Sequence, residues 1–243
     1  MKLLDASPEL QALAARIGHE FADLSLLVQA VAHRSWCAEQ GGVPSNERLE
    51  FLGDAVLGLI VSDYAYSEYP GFSEGEMAKV RAAVVNSVDL ARAAAILDIG
   101  PALLLGRGED LSGGRSKQSI LADAFEAIIG AVFVDGGTSA ACEFVLGSLT
   151  DQIDSAAEGP GVEDYKTRLQ EVVARLFTDV PDYVLTEEGP DHRKRFSATV
   201  LIAGVARGTG NGRSKKLAEQ AAARSAWGTL NEHQSTESES SDA

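Results

Sequence analysis

The sequence predicts a multidomain protein of the α and α+β classes, in which an all-α first part precedes a smaller module of order αβββα. Two patterns predict this organisation. Over residues 8–150, apolar residues recur at spacings of three and four, which is typical of helices that bury one face. Over residues 163–231, one helical pattern is followed by three short runs with strand character and an alanine-rich helical pattern.

The segment between the two parts, residues 151–162, predicts a linker, because it is polar, contains Gly159-Pro160-Gly161 and lacks apolar periodicity. Beyond the module, residues 232–243 are polar and acidic and predict a disordered tail. The elements predicted for the module are a helix from Asp164 to Phe177, strands from Tyr183 to Thr186, from Phe196 to Ile202 and from Val205 to Gly208, and a helix from about Ser214 to Leu230.

The composition indicates a globular protein of the cytoplasm. The chain has 243 residues, 45% of them hydrophobic, so it can bury a core. Its two cysteines, Cys37 and Cys142, lie far apart, which argues against a disulfide framework and against a zinc site of ordinary spacing. The sequence shows neither a secretory signal nor the run of about 20 apolar residues that a membrane span needs. We therefore expect a soluble cytoplasmic protein without membrane association.

The charge of the chain is divided unevenly. Its net value of −15 disfavours binding to polyanions, because lysine and arginine dominate contacts with phosphate. However, residues 1–162 hold 10 Lys and Arg against 23 Asp and Glu, whereas residues 163–230 hold 11 against 9. The second region is slightly basic within an acidic chain, and it is therefore the candidate for binding nucleic acid.

The segment Asn46–Ser62 predicts an apolar helix that carries acidic side chains. Asn46 stands where an N-cap residue is preferred, and apolar residues follow at helical spacing. Glu47, Glu50 and Asp54 recur at spacings of three and four, so they share one helix face. Carboxylates are thereby brought into a mostly buried helix.

The segment Ser119–Phe133 repeats this arrangement, with Asp123 and Glu126 three residues apart among apolar neighbours. One such pair is most often a solvated helix face, but pairs on two apolar helices favour a shared site. Because carboxylates repel one another where water is excluded, two facing helices of this kind would form an oxygen-rich site for a hard divalent cation. Magnesium is favoured over a closed calcium site, since it uses few carboxylates and leaves positions for substrate oxygens.

Four stretches of the first part agree in order and spacing with one known family. They are AHRSW at residues 32–36, NERLEFLGDAVL at residues 46–57, EGEMAKVRA at residues 74–82 and SILADAFEAIIGAVFVDGG at residues 119–137. On these stretches, and on the second above all, the chain resembles bacterial ribonuclease III. The resemblance implies a helical endonuclease domain over residues 8–150.

The resemblance also implies a site in which Glu50, Asp54, Asp123 and Glu126 hold Mg²⁺ at the scissile phosphate of double-stranded RNA, with Asp54 and Glu126 as the catalytic pair. Mn²⁺ is expected as a substitute. Such a metal activates water for attack on phosphorus, so no protein nucleophile is needed. Cleavage would leave 5′-phosphate and 3′-hydroxyl ends, and the expected substrates are ribosomal RNA precursors with some mRNAs and tRNAs.

Several polar residues near these motifs keep alternative interpretations. Glu47 either orients the metal-binding groups without touching the metal itself, or its charge interacts favourably with the positive N-terminal end of its helix. His33 and Ser35 either lie near the site or are purely structural, and Lys117 either holds phosphate or is solvated. The glycine-rich residues 106–117 lack the ending of a P-loop, which predicts a mobile loop and no nucleotide cofactor.

The second part carries GNGRSKKLAEQAAARSAW at residues 210–227 within its αβββα order. On this stretch, residues 163–231 resemble a double-stranded RNA-binding domain. Gly210 and Gly212 are expected to form a turn that presents backbone amides to phosphate.

Six residues of this module are predicted to bind RNA. At the start of the last helix, the helix dipole and the lysine charges attract phosphate, although an ordinary solvated helix start is the alternative. By resemblance, residues of the first helix and a histidine that reaches a minor groove supply the other contacts. Such modules recognise A-form shape and 2′-hydroxyls rather than sequence. The six residues are Gln170, Glu171, His192, Ser214, Lys215 and Lys216.

One chain holds one set of four carboxylates, whereas the strands of a duplex are related by approximate twofold symmetry. A C2 homodimer would place one set on each strand, and the resemblance implies such a dimer and short 3′ overhangs. Phe51 is expected either in the dimer contact or in the core.

Two other functions compete with this interpretation. The first is a double-stranded RNA-binding protein that binds RNA through residues 163–231 but does not cleave it. The presence of all four acids disfavours this function. A helical, magnesium-dependent nucleotide pyrophosphohydrolase also carries acids at spacings of three and four. In that enzyme, residues 163–230 would have no purpose.

Overall fold

The computed structural model of the protein describes residues 7–158, 165–177, 179–189 and 194–240, with side chains described as far as Leu230. Contacts divide the chain into two units, one formed by residues up to 65 with residues 77–157, the other by residues 66–76 with the chain from residue 158 onwards. The first unit is helical and the second contains a three-stranded sheet, which confirms the predicted fold classes. Within the described ranges, none of the helices has the length and apolarity required to cross a bilayer.

The first part of the chain is built from helices joined by short loops. Their bounds are α1 Pro8–Ile17, α2 Leu24–Ala30, α3 Arg34–Glu39, α4 Glu47–Glu68, α5 Glu74–Val84, α6 Ser87–Ile96, α7 Arg107–Leu111 and α8 Gln118–Ala157, with 3-10 turns at Gly100–Ala102 and Gly114–Ser116. Helix α4 begins directly after Asn46, as the sequence predicts.

Helix α8 is the centre of the first unit. It packs against α2 and α6, and its side chains Phe125, Ile128 and Ile129 are fully buried. Gly137, with φ of 73°, interrupts the helical backbone within it, a conformation that glycine adopts without a steric penalty. Because its first turns are apolar on most sides, any acidic group among them is drawn partly out of water.

The end of α8 differs from the prediction. The segment from residue 151 was predicted as a linker, but the helix continues to Ala157. The physical reason is packing, since Ile153 and Ala157 are buried and give this polar stretch an apolar side that its composition conceals.

The second part has the predicted order of one helix, three strands and one helix. The elements are α9 Tyr165–Leu176, β1 Asp182–Glu188, β2 Arg195–Ile202, β3 Val205–Gly212 and α10 Lys215–Ser240. The strands form an antiparallel sheet in the order β1-β2-β3, with Val184 opposite Thr199 and Thr199 opposite Thr209. Alternate side chains of β2, among them Ala198 and Val200, form a core with buried residues of α9 and α10.

The prediction of a turn at Gly210 and Gly212 is wrong. Gly210 and Gly212 lie in strand β3 rather than in a turn that presents amides, because the strand extends four residues beyond its predicted end at Gly208. Helix α10 continues to Ser240, with side chains described as far as Leu230, and the disorder of residues 232–243 stays a prediction. Residues 241–243 lie outside the described part of the chain.

Candidate functional site

Three of the four predicted carboxylates meet in the first unit. One oxygen from each of Glu50, Asp123 and Glu126 lies within 4.8 Å of an oxygen of the other two, and all three residues are half-buried. We call these three residues the acid cluster. Glu50 comes from α4 and the other two from α8, so the cluster exists because these two helices cross.

Asp54 borders the acid cluster without belonging to it. It lies one helical turn after Glu50 and is exposed, and its charge acts on the carboxyl groups of both Glu50 and Glu126. Its position on the same face of α4 agrees with the predicted spacing. The structure therefore brings three of the predicted acids together directly and places the fourth beside them.

Glycines make this helix crossing possible. A Cβ atom on Gly53 would lie 1.8 Å from the carbonyl oxygen of Glu126, and one on Gly130 would lie 2.2 Å from the carbonyl oxygen of Leu49. Atoms at these distances overlap, so a side chain at either position would force α4 and α8 apart. The interpretation of the sequence missed both residues, although a glycine inside a helical pattern lowers helix stability and so raises the question of a packing role.

The electrostatics of the acid cluster oppose full ionisation. Burial, followed by the charges of Asp54, Glu50 and Asp123, raises the pKa of the Glu126 carboxyl to about 7. Burial also raises the pKa of Glu50, and the charge of Asp123 adds to this effect. The cluster consequently retains a proton near neutral pH unless a cation takes its place.

The acid cluster has the chemistry of a divalent metal site. All of its donor atoms are carboxylate oxygens, which are ligands for hard ions such as Mg²⁺, Mn²⁺ and Ca²⁺ rather than for the softer ions that cysteine selects. Three side chains leave further coordination positions free for water or substrate oxygens. The residues therefore fit a divalent ion that is held at an open, catalytic type of site.

A polar cleft of about 380 Å³ opens beside the acid cluster. Glu50 and Asp123 line it together with Glu47, whose carboxylate accepts a hydrogen bond of 2.7 Å from the hydroxyl of Ser45. Glu47 is exposed and lies outside the acid cluster, and its charge raises the pKa of Glu50. It is thus a neighbour of the acid cluster.

The sequence allowed two interpretations for each of two further residues of the cleft, His33 and Lys117. His33 caps α3, because its Nδ1 accepts the backbone N–H of Ser35 at 3.3 Å and lies 2.8 Å from the Ser35 hydroxyl. Burial lowers the pKa of His33, which favours the neutral ring. Lys117 stands directly before α8, and its Nζ lies 3.1 Å from a carboxylate oxygen of Glu109.

The glycine-rich residues 106–117 were predicted to form a mobile loop, but the structure places a short helix and a 3-10 turn in them. They contain α7 and a 3-10 turn, and Arg115 ties them down by donating hydrogen bonds to the carbonyls of Gly100 and Leu103. The Arg115 guanidinium also pairs with Asp110 at 2.8 Å. Side-chain hydrogen bonds therefore hold a segment whose glycine content alone predicts mobility.

The second unit places most of the predicted RNA-binding residues on its surface. Gln170 and Glu171 are exposed on α9, and Lys215 and Lys216 are exposed in the first turn of α10. His192 lies outside the described residues.

Ser214 has a structural position in this unit. Its hydroxyl accepts the backbone N–H of Leu217 at 3.2 Å, which makes it the N-cap of α10. A Cβ on Gly210 would lie 2.2 Å from the backbone nitrogen of Ala222, so this glycine allows β3 to pack on α10. The backbone amides expected at a turn are instead part of the sheet.

Comparisons with known proteins agree with this division. The model of the Ribonuclease-III-like family matches residues 23–153, and that of the double-stranded RNA binding motif matches residues 165–230. The chain is 51% identical over 219 residues to ribonuclease 3 of Streptomyces coelicolor, covering 90% of this chain and 79% of that protein. It is 54% identical over 212 residues to ribonuclease 3 of Thermobifida fusca, covering 87% and 88%.

A solved structure of the nuclease domain of ribonuclease III from Campylobacter jejuni aligns with a TM-score of 0.55 and 39% identity, covering 58% of this chain and 96% of that domain. The aligned domain and the two family models together account for both described units. The chain therefore belongs to the ribonuclease III family of double-strand-specific endoribonucleases.

Proposed function

We propose that this enzyme hydrolyses double-stranded RNA at the acid cluster with Mg²⁺, or with Mn²⁺ in its place, and leaves 5′-phosphate and 3′-hydroxyl ends with short 3′ overhangs. The observation that carries the proposal is the meeting of Glu50, Asp123 and Glu126 within 4.8 Å at a helix crossing. The nuclease domain is assigned to residues 8–150 and the RNA-binding domain to residues 163–231.

The four acidic residues have different roles in metal binding and catalysis. Glu50, Asp123 and Glu126 hold the metal ion, and Asp54 joins them from the same face of α4. When bound, the ion activates water and stabilises charge on the phosphate. Glu126 gives up its proton as the ion binds, since its pKa is about 7 and the ion takes over the neutralisation of its neighbours. Asp54 and Glu126 are the pair on which catalysis depends most.

Affinity for the duplex comes from the second unit. Lys215 and Lys216 stand exposed at the start of α10, where the positive end of the helix dipole adds to their charge. With Gln170, Glu171 and His192, they contact phosphates and the minor groove of A-form RNA. Ser214 supports this site by capping the helix that presents the lysines.

The active enzyme is a homodimer in this proposal. Phe51 and Leu59, on the helix that carries Glu50, are 81% and 63% exposed, so the interpretation of Phe51 as a core residue is wrong. Exposed large apolar side chains on one helix are typical of a protein contact. The work on the Campylobacter domain describes a region involved in dimer formation. Molar mass by light scattering tests this assignment.

Ribonucleolytic processing of ribosomal RNA precursors, together with some mRNAs and tRNAs, in the cytoplasm is the corresponding cellular role. No nucleotide cofactor takes part in this scheme. The alternative of an RNA-binding protein without cleavage activity is disfavoured, because the acids come together at the helix crossing and would serve no purpose in binding RNA. The match of residues 165–230 to an RNA-binding motif likewise disfavours a nucleotide pyrophosphohydrolase.

The decisive experiment is a cleavage assay on a perfect RNA duplex with Mg²⁺, with Mn²⁺ and with EDTA. Single-stranded RNA and a DNA duplex of the same sequence serve as controls. We expect products with 5′-phosphate ends from the RNA duplex and from no other substrate, and none in EDTA. An uncut duplex at an excess of folded, dimeric protein with Mg²⁺ would overturn the proposal.

A further inference from the structure

We propose that Arg34 and Lys117 form a subsite for a backbone phosphate of the RNA, next to the phosphate that is cleaved. The inference rests on the proposed function of the acid cluster and adds a second binding position to it. The subsite is the basic part of the 380 Å³ cleft described above, which we call the phosphate cleft. Its other side is lined by Glu50 and Asp123, which belong to the acid cluster.

The position of Arg34 suits an anionic ligand. Arg34 is exposed and lines the phosphate cleft, and its guanidinium forms no hydrogen bond or ion pair with any of the described residues. Its charge nevertheless acts on Asp123 and on His33, which places it close to the acid cluster. A guanidinium in such a cleft offers paired N–H donors that match the oxygens of a phosphate.

The helix that carries Arg34 gives no reason for a cation at this point. Arg34 is the first residue of α3, where the partial positive charge of a helix N-terminus disfavours a basic side chain. Arg34 is thus unfavourable for its own helix and favourable for anions in the cleft, which suits a residue that binds a ligand.

Lys117 provides the second cation. Its ion pair with Glu109 at 3.1 Å is more than half exposed on the lysine side, and exposed pairs contribute little to stability. Nζ can therefore exchange this partner for a phosphate oxygen at small cost. Because Lys117 directly precedes α8, the helix that carries Asp123, its distance from the acid cluster is fixed by the backbone.

Hydrogen bonds keep the two cations in one cleft. The Ser35 hydroxyl accepts the backbone N–H of Gly106 at 3.0 Å, and a carboxylate oxygen of Glu39 accepts that of Arg107 at 2.9 Å. These bonds fasten the segment that leads to Lys117 onto α3, the helix that begins with Arg34. The subsite is thus a formed feature rather than a chance meeting of long side chains.

The charges of the cleft also indicate when phosphate binds. Glu47, Glu50, Glu109 and Asp123 line it beside the two cations, so an anion is repelled while the acids are ionised and unneutralised. A divalent ion at the acid cluster removes this repulsion. A strand whose scissile phosphate lies at the metal would then place a neighbouring phosphate between Arg34 and Lys117.

The test pairs a change in the protein with a change in the RNA. A single uncharged methylphosphonate is placed at each linkage flanking the cleavage site in turn, with a 2′-O-methyl group on the preceding sugar. Duplexes carrying the 2′-O-methyl group alone are the control. Each is cleaved by the wild type, by Arg34→Gln and by Lys117→Gln, and dissociation constants are measured alongside kcat and KM.

For the wild type, we expect one flanking linkage at which loss of charge lowers kcat/KM about 10-fold, the scale of one charge-assisted contact. Arg34→Gln lowers kcat/KM by a similar factor on the normal duplex and is insensitive to the methylphosphonate at that linkage, because the partner is already gone. Lys117→Gln shows the same behaviour with a smaller factor. Arg92→Gln, which removes an exposed arginine on α6 outside the cleft, keeps the wild-type pattern.

Additive effects of Arg34→Gln and of every flanking methylphosphonate would overturn the subsite. So would a wild type that is indifferent to all of them while it cleaves the normal duplex. Failure of the proposed function looks different, since the wild type would then cleave no duplex at all. Circular dichroism and thermal unfolding of each variant separate loss of contact from loss of fold.

Discussion

In the first unit, Gly53 and Gly130 stand where α4 crosses α8, and in the second unit Gly210 stands where β3 lies on α10. Both contacts bring backbone against backbone, at distances that a methyl group would block. The contact between α4 and α8 brings half-buried carboxylates together, and their mutual repulsion favours binding of a cation. The contact between β3 and α10 lies beside an apolar core. The same packing device therefore serves chemistry in one unit and stability in the other.

The largest effect is expected from the acid that lies at the crossing. Glu126→Gln keeps the size of the side chain but removes the charge that we propose binds the metal, so cleavage should fall on the order of 1,000-fold. Binding of the duplex, measured by gel shift, should stay within about 2-fold because the second unit supplies affinity. Glu143→Gln, on an exposed face of the same helix, is the matched control and should cleave normally. Substantial turnover by Glu126→Gln would refute the site assignment, and Asp54→Ala extends the test to the fourth acid.

The next effect tests the crossing itself. Gly53→Ala should lower cleavage by about 10- to 100-fold and reduce stability by about 1–3 kcal/mol, because the methyl group overlaps the Glu126 carbonyl. The apparent affinity for Mn²⁺, followed by titration calorimetry, should fall with it. Gly58→Ala lies on the same helix with nothing within 4 Å of its added Cβ, and it should leave both quantities unchanged or stabilise the helix slightly. Equal behaviour of the two variants would show that the crossing does not position the acids.

A smaller loss separates affinity from chemistry. Lys215→Ala combined with Lys216→Ala should weaken duplex binding about 10-fold at moderate salt, because two phosphate contacts disappear. The slope of log K against log salt should become shallower by about 2. At saturating RNA, kcat should be unaffected. An unchanged slope would place the phosphate contacts elsewhere on the second unit.

The corresponding glycine of the second unit should affect stability and leave the metal site intact. Gly210→Ala places a methyl group 2.2 Å from the Ala222 nitrogen, so unfolding of this unit should become easier by about 1–3 kcal/mol. Mn²⁺ affinity should not change. Gly228→Ala, on α10 with nothing within 4 Å, is the control. A loss of Mn²⁺ affinity in Gly210→Ala would contradict the division of roles between the units.

The smallest effect concerns pH. The pKa of Glu126 rises from 4.5 in its ordinary state to about 7 in the folded chain, so the folded state holds a proton that the unfolded state has released. Without divalent ions, stability should therefore fall as pH rises from about 4.5 to about 7 and level off above it. Glu126→Gln should show a smaller decline, since Glu50 and Asp123 keep raised pKa values, and urea unfolding at pH 5 and pH 8 in EDTA measures the difference. Parallel pH curves for the two proteins would contradict the raised pKa.

The sequence allowed much of this structure to be predicted, for identifiable reasons. Periodicity located the acids on apolar helices, and the preference of asparagine for the position before a helix located the start of α4 after Asn46, because both signals are local. The order αβββα followed from runs of strand-forming residues. Distances between helices are not local properties, and this is why the three-membered acid cluster and the bordering position of Asp54 appeared only in the structure.

Glycines were the weakest point of the prediction. Gly210 and Gly212 were interpreted as a phosphate-binding turn because they precede two lysines, whereas the structure uses them for packing within β3. Gly53 and Gly130 received no interpretation, although they determine the site. A glycine in a sequence can indicate either a backbone conformation that other residues avoid or a close approach of two backbones. The structure of the neighbouring element shows which of the two applies.

The peptide unit of Glu126 is both the nearest backbone neighbour of Gly53 and the support of the most strongly perturbed carboxyl group. The main-chain contact therefore fixes the backbone position from which that carboxylate extends. The preference of the site for one divalent ion over another can therefore be altered in two separate ways. Exchanging the acids alters ligand chemistry on an unchanged scaffold, whereas replacing the glycines resizes the cavity and leaves the ligands as they are.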